Sequence, residues 1–186
     1  MEVGFYIGRF QPVHNGHVYA VKYALERVDE LIIGIGSAQF SHEPENPFTA
    51  GERLTMLRLA LDEAGVDRRL YTIIPIPDTQ VHSVWVAQVL AYTPKFNVVF
   101  TNDPLSRQLF AEAGFKVEGI KFYRRTFYSA TYVRGKMLKG ENWENLVPAA
   151  VARYIKQIGG VERLRNLTKT DKVKPSQPKA PLQRPP

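Results

Sequence analysis

Cysteine is absent from the 186 residues. That excludes disulfides, thiolate metal sites and cysteine nucleophiles together. No apolar run approaches the ~18 residues that a membrane-spanning helix requires. The opening Met1-Glu2-Val3-Gly4 has neither a basic n-region nor a cleavable apolar segment, so a cytoplasmic protein is expected. Two glycine-rich phosphate signatures are also missing, G-x-G-x-x-G and G-x-x-x-x-G-K-[ST]. Their absence removes support for a Rossmann dehydrogenase or a P-loop kinase. There is no internal repeat at a period of ~20–50 residues.

What is present is ordinary for a globular chain, with 44% apolar and 23% charged residues. At roughly 150 residues per domain, the length suits one domain plus a short extension. The formal net charge is +7, but it is uneven. From Thr168 onward Lys169, Lys172, Lys174, Lys179 and Arg184 face Asp171 alone, a net +4. The basic character is therefore largely a property of the tail, and a nucleic-acid partner is not expected. The same tail holds Pro175, Pro178, Pro181, Pro185 and Pro186 with few apolar side chains. Burial there cannot offset the entropy of ordering, which predicts disorder. The expected division is a domain over residues 1–160 and a basic, proline-rich tail over 161–186.

Within the domain two patterns alternate. Short β-branched runs recur at Val3–Ile7, Leu31–Ile35, Tyr71–Ile76 and Asn97–Thr101, with a further short strand near Lys116–Glu118. Helix-period segments lie between them at His17–Arg27, Ala50–Ala64, Val84–Ala91 and Leu105–Ala113. Two late helices are expected over Thr131–Lys139 and Val147–Ile158, the second stopped by Gly159-Gly160. Continuous apolar strands alternating with helices predict a Rossmann-like α/β fold: an open parallel sheet with helices on both faces, in a single domain. Ligands of such sheets sit beyond the carboxyl ends of the strands. The informative loops are therefore 8–16, 36–49, 77–81, 101–104 and 123–129.

The first of these reads Gly8-Arg9-Phe10-Gln11-Pro12-Val13-His14-Asn15-Gly16-His17 and opens the first helix. Gly8 lets backbone approach a ligand with no Cβ in the way. Asn15 is a plausible N-cap, and Gly16 leaves the helix start open. His14 and His17, three residues apart, can share a face near the first turn. A helix N-terminus has free N–H groups and a positive end. Two imidazoles and Arg9 beside it are donors suited to a polyphosphate. A zinc pair completed by His42 or His82, structural caps, and an ordinary βα turn are the alternatives.

This loop resembles the signature G-x-F-x-P-x-H-x-G-H of the nucleotidyltransferase superfamily related to class I aminoacyl-tRNA synthetases. Gly8, Phe10, Pro12, His14, Gly16 and His17 match every fixed position. The variant G-R-F-Q-P, through Arg9 and Gln11, is similar to that of archaeal-type nicotinamide-nucleotide adenylyltransferases. The resemblance spans Met1 to about Gly160. Such a family carries a second phosphate motif, I-S-x-T-x-[IV]-R. Here Tyr128-Ser129-Ala130-Thr131-Tyr132-Val133-Arg134 stands in that place, about 115 residues after His14. Ser129 or Thr131 can cap the helix, and Thr131 and Arg134 share a face. No K-M-S-K-S loop is present; Gly135-Lys136-Met137 is not that motif.

The resemblance implies that the ATP site comprises Gly8, Arg9, Phe10, His14, Gly16, His17, Ser129, Thr131 and Arg134. It assigns catalytic roles to Arg9, His14, His17 and Arg134. Substrate contacts are implied for Arg53, Trp85 and Asn102. Each of these has a plainer alternative. Thr49 and Glu52 form a capping box that leaves Arg53 on a solvated face. Trp85 can be core, and Asp103, next to Asn102, can simply cap a helix. His82 is a nearby polar candidate, and Trp143 reads as packing. The implied reaction moves AMP from ATP to nicotinamide mononucleotide (NMN) without a covalent intermediate. Mg²⁺ would accompany ATP without protein metal ligands, and the family expectation for assembly is a homo-hexamer. A related transferase with another phosphate acceptor, or a nucleotide-binding regulatory module, are the rival readings.

Overall fold

Val3–Gly8 forms strand β1, whose alternation buries Phe5 against one face of the sheet and Tyr6 against the other. The computed structural model describes residues 1–121 and 128–169. Strands β2 (Glu30–Ile35), β3 (Tyr71–Pro75), β4 (Val98–Phe100) and β5 (Lys116–Glu118) join β1 in a five-stranded sheet ordered β3-β2-β1-β4-β5. Every pairing is parallel, with Phe5 opposite both Ile32 and Val99. The chain winds outward from β1 on one side, then returns to add β4 and β5 on the other. The order thus reverses at β1, and a crevice opens beyond the carboxyl ends of β1 and β4.

Seven α-helices cover the sheet among the described residues. They are α1 (Asn15–Leu25), α2 (Ala50–Glu63), α3 (Trp85–Tyr92), α4 (Pro104–Glu112), α5 (Ala130–Lys139), α6 (Ala149–Gln157) and α7 (Gly160–Thr168). Helices α3 and α4 pack on the face of Phe5 and Ile32, where Phe96, Phe110 and Phe115 stack around Phe5. The other helices bury Val21, Leu57, Val133, Val151 and Leu164 on the opposite face. Trp143 is buried in that second layer, as a packing residue. The expected architecture, a parallel α/β sheet covered on both faces, is the observed one. Among the described residues no helix is long and apolar enough to cross a membrane.

The boundary expected at residue 160 falls inside the fold. Gly159 does adopt a left-handed conformation, φ 65°, but it hands the chain to α7 rather than ending it. Gly160 is buried, and a Cβ there would lie 2.7 Å from Phe48, so only glycine permits this approach. Leu164 is buried, and Arg163 grips Glu52 through two bonds of 2.7 and 2.8 Å. Residues 161–169 of the expected tail thus belong to the folded unit. Residues 170–186, with the disorder expected of them, lie outside the described residues, as do residues 123–127 of the last expected ligand loop.

Candidate active site

The loop after β1 is held from three sides. The Gly36 N–H donates to the Gly8 carbonyl at 2.9 Å. Phe10 takes a left-handed turn, φ 54°, and its buried ring lies under Gly8. A Cβ on Gly8 would meet that ring at 3.0 Å, so this glycine serves the packing of Phe10 as well as any ligand. The buried Gln11 amide exchanges two 2.9 Å hydrogen bonds with the backbone of Phe48.

The loop ends at the two imidazoles. His14, rather than the expected Asn15, occupies the N-cap of α1, because its extended backbone (φ −135°) precedes the first helical turn. Asn15 instead donates through Nδ2 to the Asn145 carbonyl at 3.2 Å. The His14 backbone N–H donates to Nδ1 of His17 at 3.1 Å. That bond fixes the tautomer: neutral His17 carries its proton on Nε2. The two rings stack, with centroids 3.5 Å apart and planes at 20°. Burial lowers the His14 pKa to about 3. Burial and the neighbouring His14 hold His17 well below its ordinary value. The site therefore presents neutral imidazoles at physiological pH. Nδ1 of His14 is buried with no hydrogen-bond partner among the described residues. Gly16 makes this possible, since a Cβ there would sit 2.9 Å from Cβ of Tyr128 and 3.0 Å from Nδ1 of His14.

Helix α5 closes the site from the other side. Ser129 is its N-cap, accepting from the Tyr132 N–H at 3.2 Å. Arg134 is buried and donates through Nη1 to the Gln11 carbonyl at 2.8 Å, joining segments 123 residues apart. The N-terminal ends of α1 and α5 thereby face one cavity of about 470 Å³, lined by Gly8, Arg9, His14, His17, Ser129 and Thr131 among others. Their first backbone N–H groups have no helical acceptor and their dipoles point inward. Arg9 is half-exposed at its rim.

A second cavity of about 400 Å³ adjoins the first and shares Ile7, Gly8, Arg9 and Asp103 with it. Its walls include Ser37, Asp78, His82, Trp85 and Ser106. Trp85 is half-buried at the start of α3, packed on the Phe5 layer and lining this cavity, so both readings of it apply in part. Sequence reasoning missed Ser37 and Asp78. The Asp78 carboxylate accepts from the Ser37 N–H at 3.1 Å and its hydroxyl at 2.6 Å. Only the placement of loops 36–49 and 77–81 at strand ends hinted at this region.

Two residues expected as substrate contacts have partners within the protein. Arg53 has no exposed surface, and all five guanidinium N–H groups donate to carbonyls, those of Thr49, Arg9, Gly36, Ser37 and Phe40. Burial lowers its pKa to about 10, which leaves it charged at neutral pH. It clamps the loops behind the site and has no donor left for a phosphate. Asn102 lines the first cavity, but its amide exchanges bonds of 2.8 and 3.1 Å with the backbone of Ile120. It joins the end of β4 to the segment after β5. Asp103 is the N-cap of α4, accepting from the N–H and hydroxyl of Ser106, each at 2.8 Å. The capping box of Thr49 and Glu52 is present at α2.

Comparison with known proteins decides the family. Residues 5–136 match the cytidylyltransferase-like family model. The chain belongs to the cytidylyltransferase-like family. Among relatives of this cytidylyltransferase-like chain, the nicotinamide-nucleotide adenylyltransferase of Archaeoglobus fulgidus is 54% identical over 171 residues, covering 90% of this chain and 98% of the relative. The enzyme of the same name from Pyrococcus horikoshii is 50% identical over 182 residues, covering 98% and 97%. The archaeal-type resemblance carried by Gly8 to His17 is thus the family found, and the chain is a nucleotidyltransferase. The fold recurs in a bifunctional NMN adenylyltransferase/ADP ribose pyrophosphatase from Francisella tularensis, with a TM-score of 0.73 at 22% identity. That alignment covers 89% of this chain and 52% of the bifunctional one, so the chain spans about half its length. A second structure of a bifunctional protein so named, complexed with AMP and a manganese ion, has a TM-score of 0.71 at 21% identity.

Proposed function

We propose that this chain transfers AMP from ATP to NMN, giving NAD and pyrophosphate. The observation that carries the reading is the pair of joined cavities. One is walled by neutral imidazoles and two helix N-termini, the other by the flat ring of Trp85, and they meet at Gly8 and Arg9.

The chemistry requires little beyond positioning. The 5′-phosphate of NMN is a monoester with its second pKa near ~6, so it reaches the site already largely anionic and needs no general base. It attacks the α-phosphorus of ATP in line, forming the new P–O bond as the bond to pyrophosphate breaks. What must be supplied is alignment of two mutually repelling anions and donors where charge develops. His17 offers its Nε2–H there, and His14 lies stacked beside it. The backbone N–H groups at the starts of α1 and α5, with Ser129 and Thr131, receive the triphosphate. Arg9 and Arg134 neutralise its β- and γ-phosphates. Trp85 stacks on the pyridine ring of NMN.

The metal part of the proposal is Mg²⁺, entering as the complex of ATP. Among the described residues no group of three histidine or acidic side chains could hold a metal, and the Asp103 carboxylate is engaged by Ser106. The ion would be held mainly by phosphate oxygens and water, with few or no protein ligands. A cytoplasmic location and a hexameric assembly complete the proposal; light scattering of the purified chain tests the latter. The reaction is tested by incubating the protein with ATP, Mg²⁺ and NMN. NAD and pyrophosphate should appear in equal amounts. Pyrophosphate release with a different phosphorylated acceptor, and none with NMN, would overturn the assigned substrate.

A further inference from the structure

We propose that Glu45 holds Arg9 in the ligand-free enzyme and thereby sets how tightly the phosphate cradle binds ATP and pyrophosphate. The proposal rests on the reading above that Arg9 belongs to that cradle.

Glu45 places its Oε2 4.0 Å from Nη1 of Arg9 at the rim of the first cavity. Both side chains are largely open to solvent, 52% for Arg9 and 79% for Glu45, so an arriving anion can displace one partner. The loop carrying Glu45 is nonetheless well anchored. Arg53 grips its beginning through the Gly36, Ser37 and Phe40 carbonyls. Gln11 grips its end at Phe48. Its tip is closed by reciprocal Glu43–Asn46 backbone bonds of 3.2 and 3.1 Å, and Asn46 Nδ2 donates to the Glu43 carboxylate at 3.1 Å. Asn46, beside Glu45, is buried. The anchored backbone therefore keeps Glu45 within reach of Arg9, which lines the cavity.

The charges explain what it does there. Burial lowers the Arg134 pKa, repulsion from Arg9 adds to that, and Glu45 acts to raise it. With no phosphate bound, Glu45 balances the two cations. A triphosphate takes over that balance: Arg9 exchanges its carboxylate partner for phosphate, and Glu45 is left facing a polyanion. Binding is weakened on both counts, and release of the pyrophosphate product is favoured. For exposed charges at this separation, removing the carboxylate should tighten polyphosphate binding about 3- to 10-fold.

The test is titration calorimetry with inorganic pyrophosphate and with MgATP at low salt, on the full chain and four variants. Glu45→Gln should bind pyrophosphate about 3- to 10-fold more tightly, with its melting temperature and NMN affinity unchanged. Glu45→Asp, which keeps the charge, should stay nearer the parent than Glu45→Gln does. In an Arg9→Gln background the Glu45→Gln gain should vanish, because Glu45 acts through Arg9. Unchanged or weaker pyrophosphate binding in Glu45→Gln would overturn the proposal. So would an equal gain with and without Arg9. Pyrophosphate binding is read without turnover, so an absence of NAD formation would refute the reaction while leaving this result standing on its own.

Discussion

Replacing Arg53 by methionine separates a clamp from a ligand contact. The guanidinium is fully buried and feeds five carbonyls. In Arg53→Met two of them keep a backbone donor: Thr49 from the Arg53 N–H at 3.0 Å and Ser37 from the Phe40 N–H at 3.1 Å. The carbonyls of Arg9, Gly36 and Phe40 lose the donor that the guanidinium supplied. An unsatisfied buried acceptor costs about 1–3 kcal/mol. Water entering from the loop side relieves part of that, so a total of about 3–5 kcal/mol is expected. In a chain of this size that corresponds to a melting temperature roughly 10 °C lower. Arg53→Lys retains the charge but only three donors and should fall between the two. Calorimetric melting, with ATP titration well below the transition, measures both effects. A melting temperature within about 2 °C of the parent, together with ATP binding weakened more than tenfold, would refute the clamp and return Arg53 to the phosphate site.

The remaining predictions concern the two cavities. His14 and His17 are neutral in the folded state, with pKa values below those of the unfolded chain. The unfolded chain then binds protons first, so stability is unaffected above pH ~6.5 and falls as the pH drops below it, by up to ~1.4 kcal/mol per pH unit for each histidine. Urea melts between pH 7 and 4.5 should show this slope, and His14→Gln should reduce it; an unchanged slope would exclude His14 as a contributor. Trp85→Ala should leave ATP binding intact and weaken NMN binding about tenfold, the scale of one lost stacking contact. A large loss of melting temperature with NMN affinity preserved would make Trp85 a core residue only.

The fold was legible because its signals are local. Val3–Ile7 and Leu31–Ile35 have no polar alternation, as strands buried on both faces require, and Thr49 with Glu52 announces a helix start within four residues. Helix α7 escaped because Gly159-Gly160 is a proper helix stop by local rules. What overrides them is the contact of Gly160 with Phe48, more than a hundred residues away. The site divides the same way. The spacing of His14, Gly16 and His17 and of Ser129, Thr131 and Arg134 is a property of single turns; the structure brings His14, Gly16, His17, Ser129 and Thr131 to one cavity, while Arg134 is buried outside its lining and bonded to the Gln11 carbonyl. The contacts of Arg53, Asn102, Ser37 and Asp78 were not legible because they depend on partners between 4 and 44 residues distant. A buried arginine and an exposed one carry the same letter, and only the acceptors distinguish them. Asn15 failed as a cap for a subtler reason: His17, through Nδ1, already satisfies the orphan N–H of His14.

The most direct test of the account is His17→Ala, comparing turnover with ATP affinity in one preparation. If His17 donates through Nε2 to charge that develops only as the α-phosphorus is attacked, kcat for NAD formation should fall by more than ~10²-fold while the ATP dissociation constant changes little. An unchanged kcat would contradict the mechanism, and so would a loss confined to ATP binding.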